Sequence, residues 1–483
     1  MNGPIRRLAL IVFIGFGLLL ASLTWIQVVA ADTYRSDPRN ARTAIALSTK
    51  ERGLIVSADG QVLARSEPQA GAPQAFTRTY PAGEAYTPVV GYTSRLAGSD
   101  GLEQAYSDHL RSRRDLTISD VIAALLGRDL RPLNLQTTID SRVQEAAYRA
   151  LGGQRGAVVA LDPTTGAVLA YVSSPSFDAN LLVGADAVEQ RQRLLDDPAA
   201  PLLDRAAEEL YPPGSTFKTV VAAAALESGL AGPESEYPDQ AEFPLPGSTA
   251  TISNFDGQAC GRGGTVTLQE AFIRSCNTVF AALAIQVGAD QIDRIATALG
   301  FNRELEFPWP VAESVFPRRD LVDDPAALAQ SGIGQRDVRA TVLQMALVAQ
   351  AVANGGEVLE PRLVARVFDA DGDTVEQLSA EPLGRALSPA AASVLAEMME
   401  RVVTEGTGRR AAVPGVRVAG KTGTAEQPGR PPHAWFIGFA PVEDPRIALA
   451  VLVESGGNAG ESATGGLVAA PIAAQVFEAY LTD

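Results

Sequence analysis

Lysine is scarce in this chain of 483 residues: of 40 Lys plus Arg, only Lys50, Lys218 and Lys421 are lysine. Positive charge is otherwise written as arginine, which keeps its proton in a protein, whereas a desolvated lysine becomes a neutral base near pH 7. Each lysine is therefore a candidate for chemistry. Basic charge is also in deficit, with 56 Asp plus Glu, a net charge of −16 and a pI near 4.8. That balance excludes a nucleic-acid backbone as partner, because such a partner needs a basic stripe. Histidine is scarcer still. His109 and His433 lie far apart and in no metal-ligand spacing, which argues against a zinc hydrolase or any resident metal or cofactor. A Ser-His-Asp triad would have to borrow one of them, and neither has a supporting motif.

What is present reads as globular: 46% apolar and 20% charged residues over a length that suits two or three domains. After Arg6 and Arg7, the run Leu8 to Ala31 carries no charge and exceeds the ~20 residues that cross a bilayer as a helix. We expect residues 1–31 to be a cytoplasmic tail and signal anchor, single-pass, with the rest outside the cell membrane. A cleaved signal peptide is the rival, with Val28-Val29-Ala30 as its small-residue site. Residues 32–152 mix short alternating runs with polar, proline-containing sequence and hold no catalytic constellation. In Leu54 to Leu63 an Asp59-Gly60 turn separates two apolar arms, a hairpin signal. This segment is predicted to be a smaller α+β pedestal.

From residue 153 onward the pattern changes. Ala157 to Val172 reads as two apolar strands joined by a Pro-Thr-Thr-Gly turn, and alanine-rich helical sequence dominates from Ala206 to about Asn354. Arg417 to Thr424, Ala434 to Phe439 and Arg446 to Val453 read as successive strands, and Gly465 to Leu481 as a closing helix. Strands at both ends of a helical middle predict an α/β domain over 153–483, its antiparallel sheet completed by both termini and flanked by helices.

Within Tyr211-Pro-Pro-Gly-Ser-Thr-Phe-Lys-Thr219, Ser215 and Lys218 stand three apart at a helix start that Pro212-Pro213-Gly214 cannot extend backwards. That spacing puts both on one helix face, with the amine in reach of the hydroxyl and the helix N-terminus favouring negative charge. On spacing alone, a capping serine and a solvated lysine explain the pair better. Two more motifs change the balance: Ser275-Cys276-Asn277 in a helical stretch and Lys421-Thr422-Gly423-Thr424 on a strand. In order they form Ser-x-x-Lys, Ser-x-Asn and Lys-Thr-Gly, and two of the three hold scarce lysines.

This set resembles the penicillin-recognising serine transpeptidases. Ser331-Gly-Ile-Gly-Gln335, Leu343-Gln-Met-Ala346, Ala353-Asn-Gly-Gly356 and Ala434-Trp-Phe-Ile-Gly438 are similar to class B penicillin-binding proteins. Arg52-Gly53, Gly60, Leu63-Ala64 and Gly101-Leu-Glu103 resemble that family's N-terminal module, and the short pedestal looks most like the actinobacterial penicillin-binding protein A type. Two departures stand out: Ser57-Ala58 replaces a frequent Asp-Arg, and Arg336 follows Gln335 where glycine is usual. The resemblance implies the penicillin-binding fold, with an antiparallel sheet, flanking helices and an all-helical subdomain. It also implies a peptidoglycan D,D-transpeptidase that is acylated by β-lactams.

The resemblance gives each residue a role. Ser215 is the nucleophile, Lys218 its base, Ser275 a proton carrier and Asn277 a holder of the Lys218 amine and a substrate amide. Thr422 and Thr424 bind the substrate carboxylate near Lys421, the catalytic second cation that lowers the Lys218 pKa; Gly423 permits close backbone approach, and the Ser215 and Thr424 N–H groups form an oxyanion hole. Partners so implied are peptidoglycan stem peptides, β-lactams, the membrane and a membrane glycosyltransferase of the SEDS family. A class A β-lactamase would carry a Glu-x-x-Leu-Asn segment, and none lies between Asn277 and Lys421; Asp32 to Gly153 is too short for a glycosyltransferase domain. A D,D-carboxypeptidase or a β-lactam-sensing receptor on the same fold are the alternatives. The two cysteines, Cys260 and Cys276, lie outside the membrane, where a disulfide is expected; two buried free thiols are the other possibility.

Overall fold

The computed structural model describes residues 2–30, 51–69, 72–111 and 131–482; Lys50 and the segment joining the apolar helix to the pedestal lie outside them. The helix Asn2–Thr24 continues as a π-turn over Trp25–Val29. Its exposed apolar stretch Gly3–Val28, with a mean hydropathy of 2.4, is long and apolar enough to span a bilayer.

A five-stranded antiparallel sheet supports the site. Its order is Ala419–Gln427, Arg430–Ala440, Ile447–Val453, Gly156–Leu161 and Val168–Ser174. The last three strands are apolar at almost every position rather than alternating, because both faces are covered. On one face lies the buried helix Val342–Ala353; on the other pack Ser141–Leu151 and Ala470–Leu481. The strand Ala419–Gln427 forms one edge of the sheet.

Beside this edge sits the helix Lys218–Glu227, in contact with helices Asn277–Val287, Ala289–Ala298 and Pro389–Thr404. Its residues from Lys218 to Ala225 are buried on every side. Small alanines at 222 to 225 suit a helix with no solvent face, and Gly229 at φ +68° follows its end. The expected all-helical middle also contains strands. Glu236–Pro238 pairs with Thr265–Thr267, and Glu242–Pro244 with Thr251–Ser253. Pro233, Pro238, Pro244 and Pro246 prevent helix there and leave short extended pieces.

The pedestal is built around a six-stranded sheet, in the order Thr374–Gln377, Val364–Phe368, Asn134–Thr137, Ile55–Val56, Val62–Gln69 and Ala72–Thr79. The expected hairpin is present. Within its turn the Ser57 hydroxyl accepts from Gln61 N at 2.8 Å. The sheet crosses the expected 152/153 boundary, because two strands come from 364–377, while Ser141–Leu151 packs on the five-stranded sheet. Alternation within short strands does not say which sheet they join.

Glu103 is fully buried between Arg52 Nη2 at 2.8 Å and Arg78 Nε at 2.5 Å. Burial alone would raise its carboxyl; Arg78 and Arg52 outweigh burial and hold it below the ordinary value of 4.5. Glu103→Ala would strand two buried guanidinium groups, and we expect it to destabilise the pedestal by about 3–5 kcal/mol. In the wild type this ion-pair stability is complete above pH 4.5 and is lost as the pH falls through the lowered carboxyl value. Thermal unfolding from pH 7 down to pH 3 should therefore converge for the two proteins; a constant gap in Tm would contradict the assignment.

Candidate active site

Ser215 sits in a 3-10 turn, Gly214–Phe217, that leads directly into the Lys218 helix. The turn is tied down at several points. Tyr211 exchanges backbone hydrogen bonds with Ala340, at 3.0 and 2.8 Å. Trp435 Nε1 donates to Pro212 O at 3.1 Å, Thr216 Oγ1 donates to Pro213 O at 2.6 Å, and Gly214 N donates to Gly334 O at 2.9 Å. Gly214 has φ +53°, and a Cβ there would come within 2.8 Å of Thr424 O. A Cβ on Gly423 would meet Thr216 Cγ2 at 2.9 Å and Pro213 O at 3.0 Å. The close approach at Gly423 is therefore between the strand and the Ser215 turn.

Both scarce lysines are fully buried and converge on Ser275. Lys218 Nζ donates to Ser275 O and to Asn277 Oδ1, each at 2.7 Å, and lies 3.3 Å from Ser275 Oγ. Lys421 Nζ donates to Ser275 Oγ at 2.8 Å and to Thr422 O at 3.1 Å. Phe280 and Phe272 stand 5.6 and 5.5 Å from the two amines. No ion pair reaches either lysine among the described residues. Burial, and then the neighbouring Lys421 charge, push Lys218 well below the usual lysine value; burial brings Lys421 down to about 7. Ser275 adopts φ +63°, a left-handed conformation rare for a serine, between helices Leu268–Arg274 and Asn277–Val287. The kink aims both its carbonyl and its hydroxyl at the amines. Cys276 is joined to Cys260 in a disulfide, which ties this kink to the loop in front of it.

Ser215 is partly exposed and lines a groove of about 1930 Å³ together with Ser275, Asn277, Thr422 and Thr424. The structure thus gathers Ser215, Lys218, Ser275, Asn277, Lys421, Thr422, Gly423 and Thr424 around one wall. One expected contact is not made: no hydrogen bond joins Ser215 Oγ to Lys218 Nζ among the described residues. The amine is turned toward Ser275 and Asn277. Ser331-Gly-Ile-Gly-Gln335 meets the nucleophile turn through Gly334. Arg336 takes φ +59°, the conformation for which glycine is the usual residue, and is held by Asp337 at 3.1 Å.

Sequence reasoning missed two supports. Thr407 shares a 2.6 Å hydrogen bond with Thr422 Oγ1. Glu454 Oε1 accepts from Tyr211 OH at 2.6 Å and from buried Arg205 Nε at 2.9 Å, while Oε2 accepts from Arg155 Nε at 2.8 Å. A glutamate directly after the apolar strand Ile447–Val453 was the one available signal. His433 is buried against Tyr211, and burial lowers it to about 4, so it is neutral and structural.

These features match a known family. The penicillin binding protein transpeptidase domain matches residues 156–478, and the penicillin binding protein A dimerisation domain matches residues 52–134. The chain belongs to the penicillin-binding transpeptidase family. Within it, the chain is 44% identical to the peptidoglycan D,D-transpeptidase PbpA of Mycolicibacterium smegmatis, over 100% of both chains. The ceftriaxone acyl-enzyme of penicillin-binding protein A from M. tuberculosis superimposes with a TM-score of 0.84 at 42% identity, covering 91% of this chain and 100% of that one. Pseudomonas aeruginosa PBP2 in complex with WCK 5153 gives a TM-score of 0.74 at 31% identity, covering 90% and 96%.

Glu454→Ala would leave the Arg205 guanidinium buried without its carboxylate. We expect a loss of about 3–5 kcal/mol, as for other broken buried pairs, with Tyr211→Phe losing about 1 kcal/mol. Thermal denaturation of the two variants checks the order; a larger loss for Tyr211→Phe would contradict it.

Proposed function

We propose that this protein is a membrane-anchored peptidoglycan D,D-transpeptidase that cross-links stem peptides through an acyl-enzyme on Ser215. The observation that carries the reading is the pair of buried, ion-pair-free amines meeting at Ser275 beside a partly exposed serine. As a neutral amine Lys218 has two N–H groups, which Ser275 O and Asn277 Oδ1 accept, so its lone pair is free for a proton. A small rotation of the Ser215 hydroxyl toward it starts the reaction. Ser215 Oγ bonds to the penultimate D-Ala carbonyl carbon while its proton passes to Lys218. The oxyanion is received by the N–H groups of Ser215 and Thr424. Collapse breaks the C–N bond, and Ser275 relays the proton to the departing D-Ala amine. An acceptor amine of a second stem peptide then attacks the ester, returning Ser215 and its proton.

Thr422 and Thr424 face the substrate carboxylate, while Lys421, buried beside them, holds Ser275 Oγ. Thr407 orients the Thr422 hydroxyl, and Gly465 N approaches Thr424 Oγ1 at 3.4 Å. Gly423 keeps the strand against the nucleophile turn. A β-lactam acylates the same serine. Neither matching family model is a glycosyltransferase, so a membrane glycosyltransferase of the SEDS family is the partner we assign. Arg6 and Arg7 before the apolar helix favour a cytoplasmic N-terminus, single-pass, with residues 32–152 as pedestal and 153–483 as catalytic domain outside.

Intact mass after incubation with benzylpenicillin should show one adduct on the wild type and none on Ser215→Ala; an undiminished adduct on the variant would overturn the nucleophile. The acylation rate should fall as the pH drops and Lys218 takes up its proton. Lys421→Met removes the neighbouring charge that lowers Lys218, so the acid limb of the rate–pH profile should move to higher pH. A limb that stays in place would refute this coupling.

A further inference from the structure

Resting on that transpeptidase reading, we propose that Glu426 determines specificity by binding a protonated amine at the end of the side chain of the donor's third residue from its C-terminus.

The strand Ala419–Gln427 is an edge strand, so its outer rim is open to a peptide that adds as a further strand. Thr422, Thr424 and Glu426 all line the groove, two residues apart, while Gly423 and Ala425 between them are buried. Register along the inner partner is continuous up to Ala425, opposite His433, and shifts before Gln427; Glu426 has no partner in that ladder. Its carboxylate is exposed and takes part in no hydrogen bond or ion pair among the described residues. Three of the four arginines that line the groove are already engaged. Arg274 pairs with Glu270 at 3.0 Å, Arg401 pairs with Glu405 at 2.9 Å, and Arg409 donates to Glu405 O at 2.7 Å.

The direction of the donor follows from the chemistry. With its carboxylate at Thr422 and Thr424 and its scissile carbonyl at Ser215, an extended donor runs antiparallel to the strand, its N-terminal part heading toward Gln427. Each residue advances the peptide by about 3.3 Å. The residue before the scissile pair therefore falls level with Ala425 and Glu426. A long side chain there that ends in an amine meets an unpaired carboxylate, whereas an acylated amine offers no charge. Because Glu426 is exposed, the attraction is modest and screened by salt.

The test uses the full-length protein in detergent and two donors, Nα-acetyl-Lys-D-Ala-D-Ala with its ε-amine free or acetylated, with D-Ala release as readout. In the wild type we expect kcat/KM about 3- to 10-fold higher for the free amine at low salt, the gap shrinking at 1 M salt. Glu426→Gln should bring the ratio close to 1, Glu426→Asp should retain it, and Glu426→Lys should reverse it. Equal kcat/KM for both donors in the wild type, or an unchanged ratio in Glu426→Gln, would overturn the assignment. Acylation of the wild type by benzylpenicillin, which has no amine, is read alongside. Its absence would strike the transpeptidase reading itself, while acylation without amine preference would strike Glu426 alone.

Discussion

Two amines are held in one buried place with no acid among the described residues to neutralise them, and much of the surrounding structure exists to make that tolerable. Burial alone strips a lysine of most of its affinity for a proton, and a second lysine nearby strips it further. A carboxylate in the same space would restore the charge and remove the base. The acceptors offered instead are neutral: a carbonyl, a hydroxyl and a side-chain amide from the kink at Ser275 and Asn277, and the Thr422 carbonyl on the strand. That kink needs a serine in a left-handed conformation, which is stable only where packing on both sides fixes it. Helices on either side supply the packing.

Ser215 is placed by different means. Its turn hangs from the sheet through Trp435, from the Gly334 loop through Gly214, and from a buried ion-pair cluster through Tyr211. Strand and turn touch so closely at Gly214 and Gly423 that neither position has room for a side chain. The serine and the lysine thus share a helix start but answer to separate constraints, the one from the strand side and the other from the Ser275 side.

Much of the site was legible because its chemistry demands unusual residues. Lysine stands out in a chain that otherwise uses arginine, and Lys218 and Lys421 pointed to each other before any coordinates. The apolar runs at 157–172 and 446–453 read as strands since a sheet covered on both faces needs no polar alternation. Long-range assembly was less visible. Nothing local in Val364–Phe368 says that it pairs with Asn134–Thr137, and no spacing links Glu454 to Tyr211 or Thr407 to Thr422. These contacts depend on how separate segments are brought together, which periodicity does not record. The Ser215 hydroxyl was expected on the Lys218 amine, and the stronger acceptors at Ser275 and Asn277 hold that amine instead.

The six-stranded sheet of the pedestal draws two strands from residues 364–377, far along the chain from its other four. A polypeptide that emerges from its N-terminus delivers those four strands long before the two that flank them. Until then Asn134–Thr137 presents an open edge, the kind of surface that invites wrong pairing. The pedestal and the catalytic domain are consequently not two beads on a string. Completion of the stalk waits for most of the enzyme to be made, so a chain cut short after its first hundred and fifty residues lacks a finished support as well as an active site.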